Sequence, residues 1–416
     1  MNILLIHQAF AALDEAGGTR HHELARFLVQ KGHKVTVIAS PVSYLTGTSS
    51  HKHKEVIESV TILRAYTYNA LHKSFVHRVF SFLSFMISSF IIGLGVRNVD
   101  VVWGTSPPIF QGLTAWVLAR LKRARFLFEV RDLWPDFAIA VGVLKSPALI
   151  KMSLWLEKFL YQHADHMLVN SPGYVDHVRN RGARSVDLVP NGADPTMFQP
   201  EDQGADFRQA HNLGDHFVVL YAGAHGISND LEIVLECAEI LSQNPAFRFV
   251  FLGDGKEKSA LQARAVEMGL KNVLFLPSVP KNEMAAALAG AQACIAILKP
   301  LEEYKTTYPN KVFDYMAAGR PVVLAIEGVI RDVVEQADCG VFPRPGDAQD
   351  MANAIQFLEA DRYHAKVLGM HGREYLEEHF SREHIAEMLS AIFTKMLTRV
   401  SSTQNGNPGS KDDNVG

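Results

Sequence analysis

Short apolar runs alternate with longer amphipathic segments along the first half of the chain. The apolar runs are rich in β-branched and aromatic residues and end at glycine, proline or polar residues; they occupy 3–6, 35–38, 99–103, 125–130 and 166–169. Runs of this length predict buried strands, and the amphipathic segments between them predict helices. Strands that alternate with helices are typical of βαβ units and of a parallel sheet.

A second series of apolar runs follows a turn-rich stretch at 190–205. Its runs occupy 218–221, 247–252, 273–275, 293–298 and 321–325, and helical patterns follow at 347–359 and 382–398. The two series predict the α/β fold class, with two Rossmann-like, doubly wound domains. Such domains face each other across a cleft where the carboxyl ends of both sheets converge.

The domain boundaries are predicted from this alternation and from the composition of the stretches between the series. The N-terminal domain takes residues 1–195, the C-terminal domain takes 196–380, and a final helix takes 381–400. Residues 401–416 are polar and glycine-rich, which predicts a disordered tail.

The most apolar segment, 79–96, carries no charge and is flanked by Arg78 and Arg97. At about 1.5 Å per residue it is just long enough to span the core of a bilayer, although four serines and two glycines dilute it. Three interpretations stay open: a helix of the domain, a helix that lies on a membrane surface, and, least favoured, a membrane span. The basic and aromatic approach at 72–78 suits an anionic membrane, but a solvated helix end has the same composition.

Composition narrows the class of protein. Of the 416 residues, 48% are apolar and 20% are charged, which indicates a folded protein rather than a disordered one. With 41 Lys and Arg against 44 Asp and Glu, the formal charge of −3 gives no reason to expect a nucleic-acid partner. Three widely spaced cysteines in apolar surroundings predict buried free thiols in a reducing cytosol, and the start of the chain resembles a first strand rather than a signal peptide.

Two glycine-bearing loops follow predicted strands. Gly17 and Gly18 lie where a strand turns into a helix, and Gly253 begins the glycine-rich turn after the strand at 247–252. Glycines at such turns let backbone amides approach an anion at a helix N-terminus. Neither loop has the dinucleotide fingerprint or the P-loop pattern, so a tight structural turn stays an alternative to phosphate contact.

The stretch 305–321 carries the most information about chemistry. Pro309 predicts a helix that starts with this proline, and the glycine and proline at 319–321 predict its end. The first-turn amides would hold a diphosphate, Lys311 would neutralise it, and Asp314 would accept hydrogen bonds from ribose hydroxyls. A surface pair between Lys311 and Asp314 is the structural alternative.

Charged residues also follow a strand in the N-terminal half. Arg131 and Asp132 come directly after the predicted strand at 125–130 and are expected to face the cleft. A salt bridge between them without a catalytic role stays an alternative.

Together these motifs resemble the retaining glycosyltransferases of family four, which have the two-domain GT-B fold. The resemblance covers about residues 1–398 and is carried, in order, by 17–18, 32–37, 131–135, 190–194, 221–223, 253–255 and 310–321. The blocks at 131–135 and 309–319 are similar to the WbuB-like, L-fucosamine-type transferases of bacterial surface polysaccharide synthesis.

The resemblance implies transfer of a sugar, an N-acetylated deoxyhexosamine, from a UDP-sugar to a lipid-linked saccharide acceptor with retention of configuration. It implies an acceptor-side N-terminal domain, a nucleotide-sugar-binding C-terminal domain, and a peripheral enzyme on the inner face of the plasma membrane, for which 79–96 is the candidate contact segment. No Asp-x-Asp triplet occurs, and we expect no metal and no cofactor beyond the UDP-sugar as co-substrate.

The resemblance also assigns residues to roles. The expected catalytic residues are Arg131, Asp132 and Lys311. The expected donor-binding residues are Gly17, Gly18, Gly223, Gly253, Thr306, Thr307, Asn310, Lys311 and Asp314.

The chain departs from the family pattern at two positions. The first acid of the Glu-x7-Glu motif is replaced by Thr306, so contact to the donor sugar is expected from Thr306, Thr307 or nearby amides. The usual Arg and Lys after the first strand of the C-terminal domain are replaced at 224–226, which leaves Lys311, helped by Lys305, to balance the diphosphate. The competing hypotheses are a nucleotide-sugar epimerase of the same fold and, because of the lost acid, a catalytically silent nucleotide-binding protein.

Overall fold

The structure is a computed structural model that describes residues 1–43, 47–70 and 75–404. An eight-stranded sheet forms the N-terminal domain, in the order β3-β4-β2-β1-β5-β6-β7-β8, and all its strand pairs are parallel except β3 with β4. Its strands are β1 (Asn2–Ile6), β2 (Lys34–Ala39), β3 (Lys54–Ile57), β4 (Val60–Arg64), β5 (Val101–Ser106), β6 (Arg125–Val130), β7 (His166–Val169) and β8 (Val186–Leu188).

A six-stranded, fully parallel sheet forms the C-terminal domain, in the order β11-β10-β9-β12-β13-β14. Its strands are β9 (Phe217–Ala222), β10 (Phe247–Leu252), β11 (Val273–Leu276), β12 (Ala293–Ile297), β13 (Val322–Ala325) and β14 (Gly340–Val341). In both sheets the strand order reverses beside the first strand of the domain, so two cleft-facing switch points are present.

The helices connect the strands and cover both sheets. Those of the N-terminal domain are α1 (Arg20–Gln30), α2 (Phe75–Gly95), α3 (Phe110–Lys122), α4 (Asp136–Ala140), α5 (Pro147–His163) and α6 (Val175–Asn180). The remaining helices are α7 (Ala205–Ala210), α8 (Leu231–Ile240), α9 (Lys258–Glu267), α10 (Lys281–Ala289), α11 (Asn310–Ala317), α12 (Val329–Gln336), α13 (Ala348–Ala360), α14 (Arg362–His379) and α15 (Arg382–Gln404).

The ten strands predicted from apolar runs are confirmed, and four short strands were not predicted: β3, β4, β8 and β14. The hairpin of β3 and β4 turns at Glu58 and Ser59, both with positive φ (47° and 66°). Sequence patterns signal such a two-residue turn through glycine or asparagine, and neither residue is present here. The hairpin could therefore not be predicted from the sequence pattern.

The N-terminal sheet is covered on both faces, which explains its nearly continuous apolar strands. On one face α1 and α15 pack around Leu24 and Phe393. On the other face α2, α3 and α5 supply Phe85, Leu118 and Leu160 to a second core. The last helix of the chain thus returns from the C-terminal domain and packs on the N-terminal one.

Helix α15 runs to Gln404, four residues beyond its predicted end at 400. Among its apolar positions, Ile385, Leu389 and Phe393 are fully buried. The sequence contains no glycine or proline stop until Gly406, so nothing ends the helix at 400. The rest of the predicted tail, 405–416, lies outside the described residues.

Helix α2 reverses the usual amphipathic pattern. Its buried positions are Ser81, Phe85, Ser89 and Gly93, one every four residues. Most of its exposed positions are large and apolar: Val76, Phe80, Leu83, Ile87, Ile91 and Leu94. By length and composition, Val76–Gly95 is the one described segment that could cross a membrane. However, a Cβ added at Gly93 would lie 2.5 Å from Leu118 of α3, so α2 packs tightly into the helix layer of its domain.

The three cysteines are buried free thiols, as predicted. Burial raises the pKa of Cys294 and of Cys339 to about 12. Thiols of this kind pack like small apolar side chains and are protonated at neutral pH.

Candidate active site

A cavity of about 480 Å³ lies in the cleft between the two domains. The N-terminal domain contributes the loop before α1 and one acid: Gly17, Gly18, Thr19 and Asp132. The C-terminal domain contributes the loops after β9, β10 and β11 and the start of α11, among them Gly223, Gly253, Lys281, Asn310, Lys311 and Asp314. This volume is within the range of small-molecule sites, and the position at the strand ends is where such folds bind ligands.

Helix α11 begins at the cavity. Its first helical residue is Asn310; Pro309 precedes the helix in an extended conformation and is not itself the first helical residue. The eight-residue helix directs the positive end of its dipole toward the cavity wall formed by Asn310 and Lys311. An anion in the cavity would be stabilised there.

The amine of Lys311 is the main cationic group at this helix start. Its Nζ donates a hydrogen bond to the Tyr221 hydroxyl (2.7 Å) and lies 3.8 Å from the centroid of that ring. Within the described part of the chain, no carboxylate lies within ion-pair distance of it. Burial lowers the pKa of Lys311 to about 7. A cation that has an aromatic neighbour but no acid is suited to receive an anionic ligand.

The loop at 224–226 adds no positive charge to the cavity. Its His225 is fully buried, and burial, together with the nearby Lys258 and Lys311, lowers the pKa of His225 to about 4. The imidazole is therefore neutral at pH 7. The loop therefore supplies no positive charge in place of its replaced basic residues.

Gly223 and Gly253 allow two loops to meet under the cavity. Gly253 has φ of 150°, and a Cβ there would lie 1.9 Å from the Gly223 carbonyl oxygen. At Gly223 a Cβ would lie 3.1 Å from the Lys311 amine. Lys258 holds the second loop by donating to the carbonyl oxygens of Gly253 (2.7 Å) and Leu276 (2.9 Å). These glycines therefore provide close backbone approach and leave space for the amine.

Asp314 lies one turn beyond Lys311 and has a partner that the sequence did not suggest. Lys281, at the start of α10, forms an ion pair with it, and the side chains are 6% and 15% exposed. Asn310 Nδ2 also donates to Asp314 Oδ2 at 3.4 Å. Burial raises the pKa of Asp314, against the opposing effect of Lys281. The only signal for Lys281 in the sequence was its place after a predicted strand, which is shared with many residues.

The N-terminal wall begins with the glycine loop. Gly17 has φ of 149°, a value that glycine adopts without strain. Thr19 follows, and its hydroxyl donates to the Glu23 carboxylate within the first turn of α1 (2.6 Å). The loop thus presents the N-terminus of α1 to the cavity from the side opposite α11.

Arg131 and Asp132 take different positions in this wall. Asp132 lines the cavity, and burial raises its pKa to about 6 against the opposing charge of Arg131. Arg131 lies behind it, where its Nε donates to Thr105 Oγ1 (2.9 Å) and its Nη2 donates to His7 Nε2 (3.1 Å). Arg131 is thus held by neutral acceptors and does not line the cavity.

The structure does not bring Thr306 and Thr307 to the cavity. The Thr306 carbonyl oxygen accepts from Ser171 Oγ (2.5 Å), and the Thr307 hydroxyl lies 2.9 Å from the Tyr174 hydroxyl. Both threonines thus join the C-terminal domain to the 3-10 turn after β7. Lys305 is half exposed and pairs with Glu302 (2.6 Å), away from the cavity. The position beside the acid of α11 is taken by Lys281 instead.

A buried ion pair connects the two walls from behind. Arg382, the first residue of α15, donates through Nε to Glu23 of α1 at 2.7 Å, and both side chains are almost fully buried. The same guanidinium donates to the Gly192 carbonyl oxygen and lies 3.5 Å from Asn310 Oδ1 of α11. Helices α1, α11 and α15, from both domains, therefore come together at the guanidinium of Arg382.

A smaller cavity of about 180 Å³ lies in the N-terminal domain beside the start of α2. Its polar lining includes Gln8, Ser40, Thr67, Arg78 and Ser81, with Tyr68 and Phe82 as aromatic neighbours. The buried Gln8 Oε1 has no hydrogen-bond partner among the described residues, while the side-chain amide nitrogen of Gln8 donates to Ser81 Oγ (3.3 Å). A ligand with a hydroxyl donor would satisfy this oxygen.

Two family models match the chain, one in each domain. The model described as "Glycosyl transferase 4-like domain" matches residues 16–192, and the model described as "Glycosyl transferases group 1" matches residues 216–361. Each match falls on the domain formed by one of the two sheets, and the cavity lies between these two domains.

Comparisons with individual proteins point the same way. The chain is 25% identical over 381 residues to the putative colanic acid biosynthesis glycosyl transferase WcaI of Escherichia coli K12, covering 87% of this chain and 92% of that protein. The structure superposes on sucrose-phosphate synthase of Thermosynechococcus elongatus with a TM-score of 0.77 at 21% identity, covering 96% and 99% of the two chains. It also superposes on HepE of Anabaena, solved in complex with UDP and glucose, with a TM-score of 0.72 at 14% identity, covering 95% and 100%. The predicted GT-B fold is confirmed.

Proposed function

Because the chain is a glycosyltransferase of the GT-B fold, we propose that it moves a sugar from a UDP-sugar to a lipid-linked saccharide, with retention of configuration and without a metal. One observation carries the proposal: the partly buried amine of Lys311, which has no acidic partner among the described residues, stands at a helix N-terminus in the cleft cavity. This is the chemistry that a departing nucleoside diphosphate requires.

Leaving-group stabilisation is the step that these residues perform. The diphosphate takes the position between the start of α11 and the glycine loop before α1, so that two helix N-termini and Lys311 face it. As the bond between sugar and phosphate lengthens, negative charge grows on the phosphate and positive charge on the sugar. The site stabilises the first of these charges in the cleft. Asp132, on the opposite wall, faces the sugar, with Arg131 behind it. We assign no protein nucleophile.

The ribose of the donor is proposed to bind at Asp314. Its carboxylate is shared with Lys281, so a ribose hydroxyl would donate to the remaining acceptor capacity of the carboxylate. The similarity to HepE, solved with UDP and glucose, supports a uridine nucleotide.

The acceptor is proposed to enter through the N-terminal domain. The smaller cavity offers hydroxyl and amide groups, the buried Gln8 oxygen and the Arg78 guanidinium, which suit a saccharide linked to a phosphate. It opens beside the start of α2, whose outward face is apolar. A lipid chain attached to the saccharide could remain in the membrane while its sugar reached the cleft. The similarity to a colanic acid transferase supports a surface polysaccharide as the product.

Membrane contact through α2 and a place on the inner face of the plasma membrane complete the proposal. The reversed pattern of α2, with serines inward and Phe80, Ile87 and Ile91 outward, supports this contact. Arg78 lies at its start, and residues 72–73 of the basic approach lie outside the described residues. The N-acetylated deoxyhexosamine is proposed from the similarity of 131–135 and 309–319 to the WbuB-like group.

The test is product analysis with a panel of UDP- and GDP-sugars, a bacterial lipid extract as acceptor, and a chelator in parallel samples. Mass spectrometry should show a sugar added to a lipid only when donor and acceptor are both present, with the chelator having no effect. NMR of the product should show the anomeric configuration of the donor. Isomerised donor without acceptor would indicate an epimerase instead, and nucleotide binding without turnover would indicate a silent protein.

The residue that carries the proposal has its own test. Lys311→Ala should lower turnover by about 100- to 1000-fold, the usual cost of removing one preorganised charge-stabilising group. The exposed Lys305→Ala is the matched control and should leave turnover close to that of the native enzyme. Equal activity of both variants would show that the diphosphate does not bind at α11.

A further inference from the structure

We infer that the membrane-binding surface is not α2 alone but the shared outer face of α2, α3 and α5, with Trp155 of α5 as a second anchor in anionic phospholipid. This inference rests on the membrane contact proposed above and extends it to helices that the sequence did not connect with a membrane.

The three helices form one layer on the same face of the N-terminal sheet. Phe85 of α2, Leu118 of α3 and Leu160 of α5 all belong to the same buried core. Neighbouring helices are in direct contact: Thr114 of α3 donates to the Met86 carbonyl oxygen of α2 at 3.2 Å. Since all three pack inward on one sheet, their outer faces point away from it in the same general direction.

Aromatic contacts tie α5 to α3 within this layer. The ring centroids of Trp116 of α3 and Phe159 of α5 are 5.0 Å apart, in an edge-to-face arrangement. Trp155 stacks on Phe159 at 5.5 Å with an interplanar angle of 23°. The exposed indole is thus supported from below by a ring that is itself fixed to the layer, so its orientation is constrained.

Large apolar side chains continue outward across the layer. Beyond the exposed stripe of α2, Leu121 of α3 is 61% exposed, and Met152 and Trp155 of α5 are 48% and 63% exposed. Of the four tryptophans in the chain, Trp155 is the most exposed, and Trp103 is fully buried. Exposed apolar residues that extend over several neighbouring elements mark an interaction surface, whereas isolated ones do not.

The charge of the layer identifies the occupant as an anionic membrane. Five basic residues lie on these helices: Arg78, Arg120, Lys122, Lys151 and Lys158. Their sequences contain one acid, Glu157, and it is fully buried and pairs with Arg181 and His177. A chain with a net charge of −3 therefore presents a helix layer without an exposed acid. Long basic side chains beside an exposed tryptophan are the composition of a membrane interface.

The test uses the fluorescence of Trp155. The full-length protein is mixed with vesicles of phosphatidylglycerol and phosphatidylcholine, the latter brominated on its acyl chains, and compared with vesicles of the same lipids without bromine. Bromine quenches an indole that enters the acyl boundary, so we expect quenching of the native protein and its loss in Trp155→Phe, which keeps an aromatic anchor and should still bind the vesicles.

Variants of α5 measure how much this helix contributes to the free energy of vesicle binding. Trp155→Ser should weaken binding to the anionic vesicles by about tenfold. Lys151→Glu and Lys158→Glu should each weaken it by about fivefold. Phe357→Ser and Lys271→Glu change exposed residues of the C-terminal domain and are the matched controls, which should bind as the native protein does. The dissociation constant for UDP should not change in Trp155→Ser, which verifies that the variant is folded.

The outcomes separate this inference from the proposed function. If Ile87→Ser of α2 abolishes vesicle binding while Trp155→Ser binds normally and the native indole is not quenched, the inference on α5 is overturned and the contact through α2 stands. If the α2 variant also binds normally, both membrane proposals fail, while sugar transfer measured with detergent-solubilised acceptor remains a separate result.

Discussion

The two walls of the cleft carry ionisable groups of opposite type, a buried amine on one and a buried acid on the other. On the C-terminal wall, Lys311 has an aromatic neighbour and, in the part of the chain that the structure describes, no acid within ion-pair distance; burial lowers its pKa to about 7. On the N-terminal wall, Asp132 lines the cavity as an acid whose pKa burial raises to about 6. Each wall therefore presents an ionisable group that is only partly compensated within the protein. Groups of this kind are characteristic of functional sites, because a ligand rather than the fold supplies the missing partner.

The walls also differ in how their supporting charges are arranged. Asp314 and Lys281 form an ion pair within the C-terminal wall, whereas Arg131 is held from behind the N-terminal wall by His7 and Thr105. This difference supports the division of labour in our proposal, in which the C-terminal wall binds the nucleotide and the N-terminal wall faces the sugar that reacts.

The largest expected effect comes from removing the charge that joins the walls. Arg382→Met leaves Glu23 buried without its partner, and such a loss costs about 3–5 kcal/mol of unfolding free energy. Urea unfolding measures this cost. Lys31→Met breaks the more exposed pair of Lys31, directly after α1, with Glu387 of α15 and should cost less than about 1 kcal/mol. Equal stability of the two variants would mean that Arg382 does not hold the walls together.

The next effect concerns the N-terminal wall. Asp132→Asn should lower turnover by about 10- to 100-fold, because the variant keeps the shape of the side chain but loses its charge. Since the pKa of Asp132 is raised to about 6, the carboxylate is present above that pH and is lost as the pH falls through it. Native turnover should therefore decline below about pH 6, and the variant should lack this decline.

The control for this prediction is Asp136→Asn, which changes a carboxylate that pairs with Arg181 outside the cavity. Its pH profile should match that of the native enzyme. An acidic limb that persists in Asp132→Asn would assign the titration to another group.

The smallest effect tests the ion pair of the C-terminal wall. Lys281→Met and Asp314→Asn should each weaken UDP binding by about tenfold while changing the binding of inorganic pyrophosphate little, because the pair serves the ribose. Since the two side chains act together, the double variant should lose less than the sum of both changes. Calorimetric titration with the two ligands measures these constants. Additive losses would show that Lys281 and Asp314 act independently.

Much of this architecture could be predicted from the sequence. Strands buried on both faces are continuous apolar runs, and the glycines at Gly223 and Gly253 and the proline before α11 punctuate the chain visibly. The start of α11 was therefore placed within one residue, and with it Lys311 and Asp314. These features are local, and sequence patterns report local structure well.

The features that were missed are those that depend on tertiary contacts. Lys281 reaches Asp314 only because β11 ends and α11 begins at the same cleft, and Thr306 and Thr307 contact Ser171 and Tyr174 of the other domain. No spacing along the chain encodes these distances. The orientation of α2, with its large apolar side chains exposed, could not be predicted for the same reason. The sequence of an apolar segment does not show which of its sides will be covered by the sheet.

The most direct test of the central claim is the proton balance of UDP binding. A diphosphate bound at Lys311 should raise the pKa of this amine from about 7, so at about pH 8 the native enzyme should take up close to one proton with UDP, and its affinity should fall as the pH rises above 7. Calorimetry in buffers of different ionisation enthalpy measures this uptake. The account predicts proton uptake in the native enzyme and none in Lys311→Met; uptake that is absent from the native enzyme, or unchanged in the variant, would contradict it.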